Sequence, residues 1–282
     1  MNEKLTPSIG VIGSGRVANA IGLLLHAKSL TIAFVHSRNT ESGNKLASKL
    51  NCPFIESIKD TNADIIIICI NDDEVQSTIE QFSKDQKVLY TAGSVDIKML
   101  QHEKCGVFYP LQTFTDHTQK MDNQFPMLIE ANDKELFLDM IHLCEKSGLR
   151  YEKCNSEKRK EYHLVAVMLN NFVNHLVYLS QQEAKERGLN WSILQPLLEK
   201  TCDSMLQFQA KDNQTGPARR GDQSILEKHE SMLDEKNKKI YQLLSKSIIS
   251  TYKNELTNKY NKIRLIFPIT IKVFLNYKSF ER

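Results

Sequence analysis

The sequence has no apolar run long enough to cross a bilayer. Its longest, Ala63 to Ile70, is short and carries Asp64, whereas a membrane helix needs about 20 apolar residues. No basic stretch followed by a long apolar segment opens the chain, so no signal peptide is expected. Cys52, Cys69, Cys105, Cys144, Cys154 and Cys202 are scattered, with no Cys-x-x-Cys pair. That argues against metal or disulfides and for buried thiols in a reducing cytoplasm. Neither sign of charge dominates: 37 basic residues face 34 acidic ones, a net of +3. Thr257–Arg282 alone holds six basic residues and one acid, Glu281. The rest is therefore slightly acidic, and no nucleic acid or membrane partner is expected. With 41% apolar and 25% charged residues over 282, the chain has ordinary globular composition and length for one or two domains.

The first half alternates strand and helix patterns. Strands are expected at Ser8–Ile12, Thr31–His36, Ala63–Ile70, Lys87–Tyr90, Gly106–Tyr109, Pro126–Glu130 and Arg150–Lys153. Helices are expected at Val17–Ala27, Thr40–Leu50, Asp73–Phe82 and Lys134–Ser147, the last stopped by Gly148. Such alternation predicts a Rossmann-type α/β fold, a doubly wound parallel sheet with helices on both faces. From Ser156 to about Glu255 the pattern is nearly all helical. The expected domains are 1–154 (dinucleotide-binding), 155–256 (all-α) and 257–282 (a basic tail). In the tail, Ile263 to Phe274 reads as a strand interrupted by Pro268, with no functional assignment.

The strongest motif is Gly13-Ser14-Gly15-Arg16-Val17-Ala18, a G-x-G-x-x-A pattern directly after a strand and opening a helix. Gly13 permits the tight turn, Gly15 lets the backbone approach a pyrophosphate, and Ala18 keeps helix and sheet close. Phosphates would meet free N–H groups and the positive helix end. The second strand lacks the acid that holds a ribose 2′-hydroxyl in NAD sites. It ends instead in Ser37-Arg38, a hydroxyl and a guanidinium suited to a 2′-phosphate, which favours NADP(H). Arg38 as a plain solvated loop charge is the alternative.

These residues resemble a known family, the Rossmann-like proteins with a C-terminal DUF2520 domain. The family is provisionally assigned as NADP oxidoreductases within the pyrroline-5-carboxylate reductase and β-hydroxyacid dehydrogenase clan. The shared marks are the glycine loop, Thr91-Ala-Gly-Ser-Val, Phe108-Tyr-Pro-Leu-Gln-Thr-Phe114, His163-Leu-Val-Ala-Val, Asn171-Phe-Val-Asn-His175 and Gly216-Pro-Ala-Arg-Arg-Gly-Asp222. They run from about Ile9 to Glu255. The family usually has His just before the Ala-Gly-Ser turn, where this chain has Tyr90. Related β-hydroxyacid dehydrogenases project a Lys and an Asn from the helix that here carries His163 and Asn171. The resemblance implies an oxidoreductase and names 2-dehydropantoate as a first substrate.

Ligands of a doubly wound sheet bind beyond the carboxyl ends of its strands. Asn71 and Asp72 are expected beside the nicotinamide ribose, although Asp72 can equally cap a helix. Ala92, Gly93 and Ser94 form another such loop, and Gln112 and Thr113 a third. On a helical wheel Tyr162, Val165, Leu169, Phe172, Val173 and Leu176 share one face. His163, Val167, Asn170, Asn171, Asn174 and Tyr178 form an opposite stripe without charge from Tyr162 to Gln182. That stripe suits a site lining or an interface between helices. Arg219 or Arg220 can clamp a substrate carboxylate, Arg220 being preferred, while Asp222 can cap the next helix.

The assignment is thus a NADPH-dependent reductase of a small carbonyl or imine substrate. His163, Asn171 and Ser94 are the catalytic candidates, and Gln112, Asn174 and Arg220 the substrate-binding ones. Ser14, Arg16, Val17, Ser37, Arg38, Asn71, Asp72, Ala92 and Gly93 join Gly13 and Gly15 at the cofactor. A homodimer through the helical domain is expected, because Asn190–Gln209 and Ser231–Glu255 carry apolar stripes needing a partner. A non-catalytic NADP-binding module is the alternative function.

Overall fold

The computed structural model describes residues 7–60, 62–115 and 125–266. The chain divides into two compact units, Met1–Asn174 and His175–Arg282.

The first unit is an α/β unit around one sheet. Its strands are β1 (Ile9–Ile12), β2 (Ile32–His36), β3 (Phe54–Ile55), β4 (Ile65–Ile68), β5 (Lys87–Tyr90), β6 (Cys105–Pro110), β7 (Met127–Ala131) and β8 (Tyr151–Lys153), in the spatial order β3-β2-β1-β4-β5-β6-β7-β8. The main helices are α1 (Arg16–Ala27), α2 (Thr40–Lys49), α3 (Val75–Ile79), α4 (Lys134–Ser147) and α5 (Ser156–Ala166). β4 shows why the sheet is covered twice. All four isoleucines are buried, and alternate side chains leave opposite faces of a strand. Ile65 and Ile67 join Leu25, Leu46 and Met140 in one core, and Ile66 and Ile68 join Phe34, Val75 and Val88 in the other.

The sheet is not wholly parallel: β7 runs antiparallel to β6, and all other neighbours pair in parallel. A parallel crossover needs an intervening element to cover the sheet. The polar stretch between Pro110 and Met127 has no apolar helical period, whereas α4 supplies one for β7 to β8. Two further differences are local. The strand β3 carries no alternating pattern and escaped the sequence reading. The helix expected over Asp73–Phe82 is a 3₁₀ turn, Asp72–Glu74, followed by the short α3.

The packing boundary lies beyond the sequence boundary near Asn155, because α5 is anchored in the sheet unit. Its Arg159 is fully buried and donates to the Gly93 carbonyl at 2.9 Å.

A π-helical stretch, Val167–Phe172, joins α5 to α6 (Val173–Glu186). The second unit then adds α7 (Gln195–Gln207), the short α8 (Ala210–Asn213) and α9 (Pro217–Arg220), α10 (Gln223–Ser231) and the long α11 (Glu235–Ile266). Tyr252 of α11 is buried, donates to the Lys211 carbonyl at 2.6 Å and takes the Arg219 guanidinium over its ring at 4.0 Å. Because α11 continues to Ile266, the expected tail strand is helical over Ile263–Ile266, extension of an existing helix being easy. Its remainder, with Pro268, lies outside the described residues. Among the described residues no helix is long and apolar enough to cross a membrane.

Candidate active site

The site begins at the carboxyl end of β1. Gly13 has φ +109°, and a Cβ there would stand 2.2 Å from the Cys69 carbonyl oxygen. Only glycine fits that turn. Its N–H donates to the His36 carbonyl at 2.8 Å, tying the turn to β2. Gly15 then opens α1, with no side-chain cap and no acid in the first turn. A Cβ on Gly15 would enter open space. Uncapped helical N–H groups beside a vacant Cβ position fit the pyrophosphate of a dinucleotide, which needs donors, positive potential and close backbone approach.

Beside this turn, three hydroxyls meet. Ser14 Oγ lies 2.7 Å from Ser37 Oγ and 2.7 Å from Ser42 Oγ. Asn39 caps α2 by accepting the Ser42 N–H at 2.9 Å, which fixes Ser42 in that position. Ser42 escaped the sequence reading, although its place three residues after an Asn cap was a usable signal. Arg38 reaches from the end of β2 to Glu74, Nη1 to Oε1 2.5 Å.

The ends of β4, β5 and β6 border a cleft of about 640 Å³. Gly15, Arg16 and Val17 line one side. Asn71, Asp72, Ala92, Gly93, Ser94, Tyr109, Gln112 and His163 line the rest, with Phe114 and Thr91. Ser94 Oγ donates to the Asp72 carboxylate, so Asp72 spends its oxygen on the neighbouring loop rather than on a helix cap. Tyr109 Oη lies 3.1 Å from His163 Nδ1, joining β6 to α5. Burial, and behind it the Asp72 charge, raise the Tyr109 hydroxyl above the ordinary tyrosine range. Cys69 forms part of the lining, and burial pushes its thiol up to about 12. It is thus an inert, protonated wall at neutral pH.

The loop carrying Gly93 and Ser94 is held from behind. Arg159 donates Nε to the Gly93 carbonyl and Nη2 to the Val95 carbonyl, both at 2.9 Å, and Nη1 to Glu130 Oε2 at 2.7 Å. Ser156 Oγ also donates to Glu130 at 2.9 Å. Tyr90, where the family usually has His, is fully buried and donates to the Val95 carbonyl at 3.2 Å. It supports the same loop and does not face the cleft.

A family model described as a domain of unknown function, DUF2520, matches residues 125–248, and one described as NADP oxidoreductase, coenzyme F420-dependent, matches residues 8–91. A Bacteroides fragilis structure, provisionally named an NADP oxidoreductase, shares 30% identity over 86% of this chain and 98% of its own, with TM-score 0.78. The chain belongs to the DUF2520 family of NADP oxidoreductases. This oxidoreductase also shares its fold with a 1-pyrroline-5-carboxylate reductase from Streptococcus pyogenes (14% identity, 86% and 98% covered, TM-score 0.59). It shares it too with an imine reductase from Myxococcus stipitatus, solved in complex with NADP+ (13% identity, 89% and 95% covered, TM-score 0.58). Among curated proteins there is no match.

In this DUF2520 oxidoreductase His163 is the member of the expected polar stripe that reaches the cleft. Asn171 and Asn174 are exposed and stand outside its lining. The physical reason is distance along the helix: Asn171 and Asn174 lie eight and eleven residues beyond His163, about 10 Å or more along the axis, so a shared face does not bring them to the same cleft. Arg220 belongs to the second unit, where its Nε donates to Asp222 at 2.8 Å. Asp222 stands at the start of α10 but makes no side-chain cap. Tyr109 and Arg159 escaped the sequence reading. The Phe108-Tyr-Pro motif marked Tyr109, while a lone Arg in a helix rich in charge gave no signal.

Proposed function

We propose that this oxidoreductase is a NADPH-dependent reductase of a small carbonyl or imine compound bearing a carboxylate. 2-Dehydropantoate is the first substrate to test and a pyrroline-5-carboxylate-like cyclic imine the second. The observation that carries the reading is the Tyr109–His163 pair, 3.1 Å apart, in a cleft that also holds the N-terminal turn of α1.

When bound, the cofactor supplies a hydride from its nicotinamide. The chain's own residues do the rest. Gly13, Ser14, Gly15, Arg16 and Val17 hold the pyrophosphate, and Ser37 and Arg38 take the 2′-phosphate. Asn71 and Asp72 hold the nicotinamide ribose, and Ala92 and Gly93 let the ring approach. Tyr109, kept protonated by its raised pKa, fixes Nδ1 of His163. His163, as an imidazolium whose Nδ1–H is donated to the Tyr109 oxygen, delivers its Nε2 proton to the substrate oxygen or nitrogen and is left as neutral imidazole. Ser94, oriented by Asp72, positions the substrate. Gln112 accepts the Thr113 N–H on Oε1 at 2.9 Å, which leaves its amide protons for a substrate carboxylate.

The working unit in this reading is a homodimer. Val165, Met168, Leu169, Phe172 and Val173 recur at helical spacing and are all exposed, Leu169 to 73%. Stripes of this kind on soluble proteins mark interfaces, and the helical span already expected to pair, α7, adds exposed Leu197 and Leu206. Free, mostly buried thiols suit a reducing cytoplasm.

The test is NADPH oxidation with a panel of 2-keto acids and cyclic imines, wild type against His163→Gln. Turnover of one panel member, lost in the variant with NADPH binding intact, is the expected result. Tight NADPH binding with no turnover of any compound overturns the substrate class.

A further inference from the structure

β2 and β4 flank β1 in the sheet, so a bond between the loops after them spans the carboxyl end of β1. The Arg38–Glu74 pair is that bond. It adjoins Ser37, where the proposed reading puts the 2′-phosphate. The two side chains are 76% and 34% exposed, so the pair is well solvated and weakly held. Directly beside Arg38 in sequence is the hydroxyl cluster. Ser14, Ser37 and Ser42 have three protons and two mutual contacts. The third proton is left for the Asn39 carbonyl, 3.3 Å from Ser42 Oγ, or for an incoming anion.

We propose that Glu74 is an internal stand-in for the 2′-phosphate. In the ligand-free protein its carboxylate occupies the Arg38 guanidinium, and on NADP(H) binding the phosphate displaces it. This rests on the reading that the 2′-phosphate lies at Ser37 and Arg38. The exchange favours the phosphate on two counts. The phosphate carries nearly two charges against one, and it also takes the one serine proton left over in the hydroxyl cluster. When the cofactor leaves, Glu74 gives Arg38 a partner again, which eases release. NADH carries no phosphate there and leaves the pair closed. Glu74 is therefore a specificity and release residue that touches the cofactor only through Arg38.

Calorimetric titration of the full-length protein tests this without any turnover. An exposed ion pair is worth up to about fivefold in an equilibrium constant. Glu74→Gln should tighten NADPH and NADP+ binding by about two- to fivefold, mainly through slower dissociation, and leave NADH unchanged. The gain should vanish in an Arg38→Ala background and shrink at high salt. Weaker or unchanged NADPH binding in Glu74→Gln overturns the exchange. So does an equal gain for NADH, or a gain that persists without Arg38, which would be plain charge repulsion. Arg38→Ala by itself separates the two layers. If it leaves NADPH affinity intact, the 2′-phosphate assignment fails and the exchange with it. If it weakens NADPH while Glu74→Gln changes nothing, only the exchange fails.

Discussion

Arg159 is fully buried, and its Nη1 stands 2.7 Å from Glu130 Oε2 while its other donors hold the carbonyl oxygens of Gly93 and Val95. The pair couples β7 and α5 to the loop that bears Ser94. Removing one partner of a buried ion pair strands the other charge. Arg159→Met should therefore lower stability by about 3–5 kcal/mol in urea unfolding. An unchanged midpoint would show that the loop does not depend on this guanidinium.

Tyr109 and His163 should act as one unit. His163→Gln should lower kcat about 10²–10⁴-fold, the usual range for loss of a general acid. Tyr109→Phe should lower kcat less and leave NADPH affinity intact. The raised Tyr109 pKa means that the fold favours the neutral phenol. Its stabilisation is complete below the ordinary tyrosine pKa and is lost as pH rises through the raised value. The wild type should accordingly lose more stability at strongly alkaline pH than Tyr109→Phe. Parallel alkaline unfolding curves would refute that.

Two glycines of the cleft should behave oppositely. A Cβ on Gly93 would stand 2.7 Å from Tyr109 Cε2, so Gly93→Ala should cost about 1–3 kcal/mol by overpacking and reduce kcat by shifting Tyr109. A Cβ on Gly15 meets open space, so Gly15→Ala should keep its melting temperature and lose cofactor affinity instead. Equal melting temperatures with equal affinities in both variants would contradict the assignment of the phosphate turn.

Thiol reactivity should follow burial. Cys69, Cys105 and Cys144 are buried, and desolvation pushes each thiol up to about 12. Cys202 is exposed. Iodoacetamide at mildly alkaline pH should label Cys202 in the native protein at least tenfold faster than those three, since only the thiolate reacts. Mass spectrometry of the peptides reads the ratio directly.

The proposed dimer is testable without touching the cleft. Leu206 is 87% exposed, so Leu206→Glu buries no charge in the single chain and should leave its fold intact. Light scattering at tens of micromolar should report a dimer for the wild type and a monomer, or at least tenfold weaker association, for the variant. A monomeric wild type would rule out the pairing.

Some of this protein was written locally and could be read from the sequence. The turn at Gly13 needs a backbone angle that glycine supplies, and the isoleucines of β4 need two apolar faces. Both demands fall on neighbouring residues, so the glycine turn and the β/α alternation were legible. Tertiary structure decided what depends on distant partners. Tyr109 and His163 meet across 54 positions, Arg38 finds Glu74 across 36, and Arg159 finds Gly93 across 66. No periodicity encodes such pairings, because they arise only when separate strands and helices dock. The polar stripe of α5 and the stretch after it is the sharpest case. A helical wheel shows which residues share a face but not how far along the axis a cleft extends, so His163 lines the cleft while Asn171 and Asn174, eight and eleven residues further on, do not.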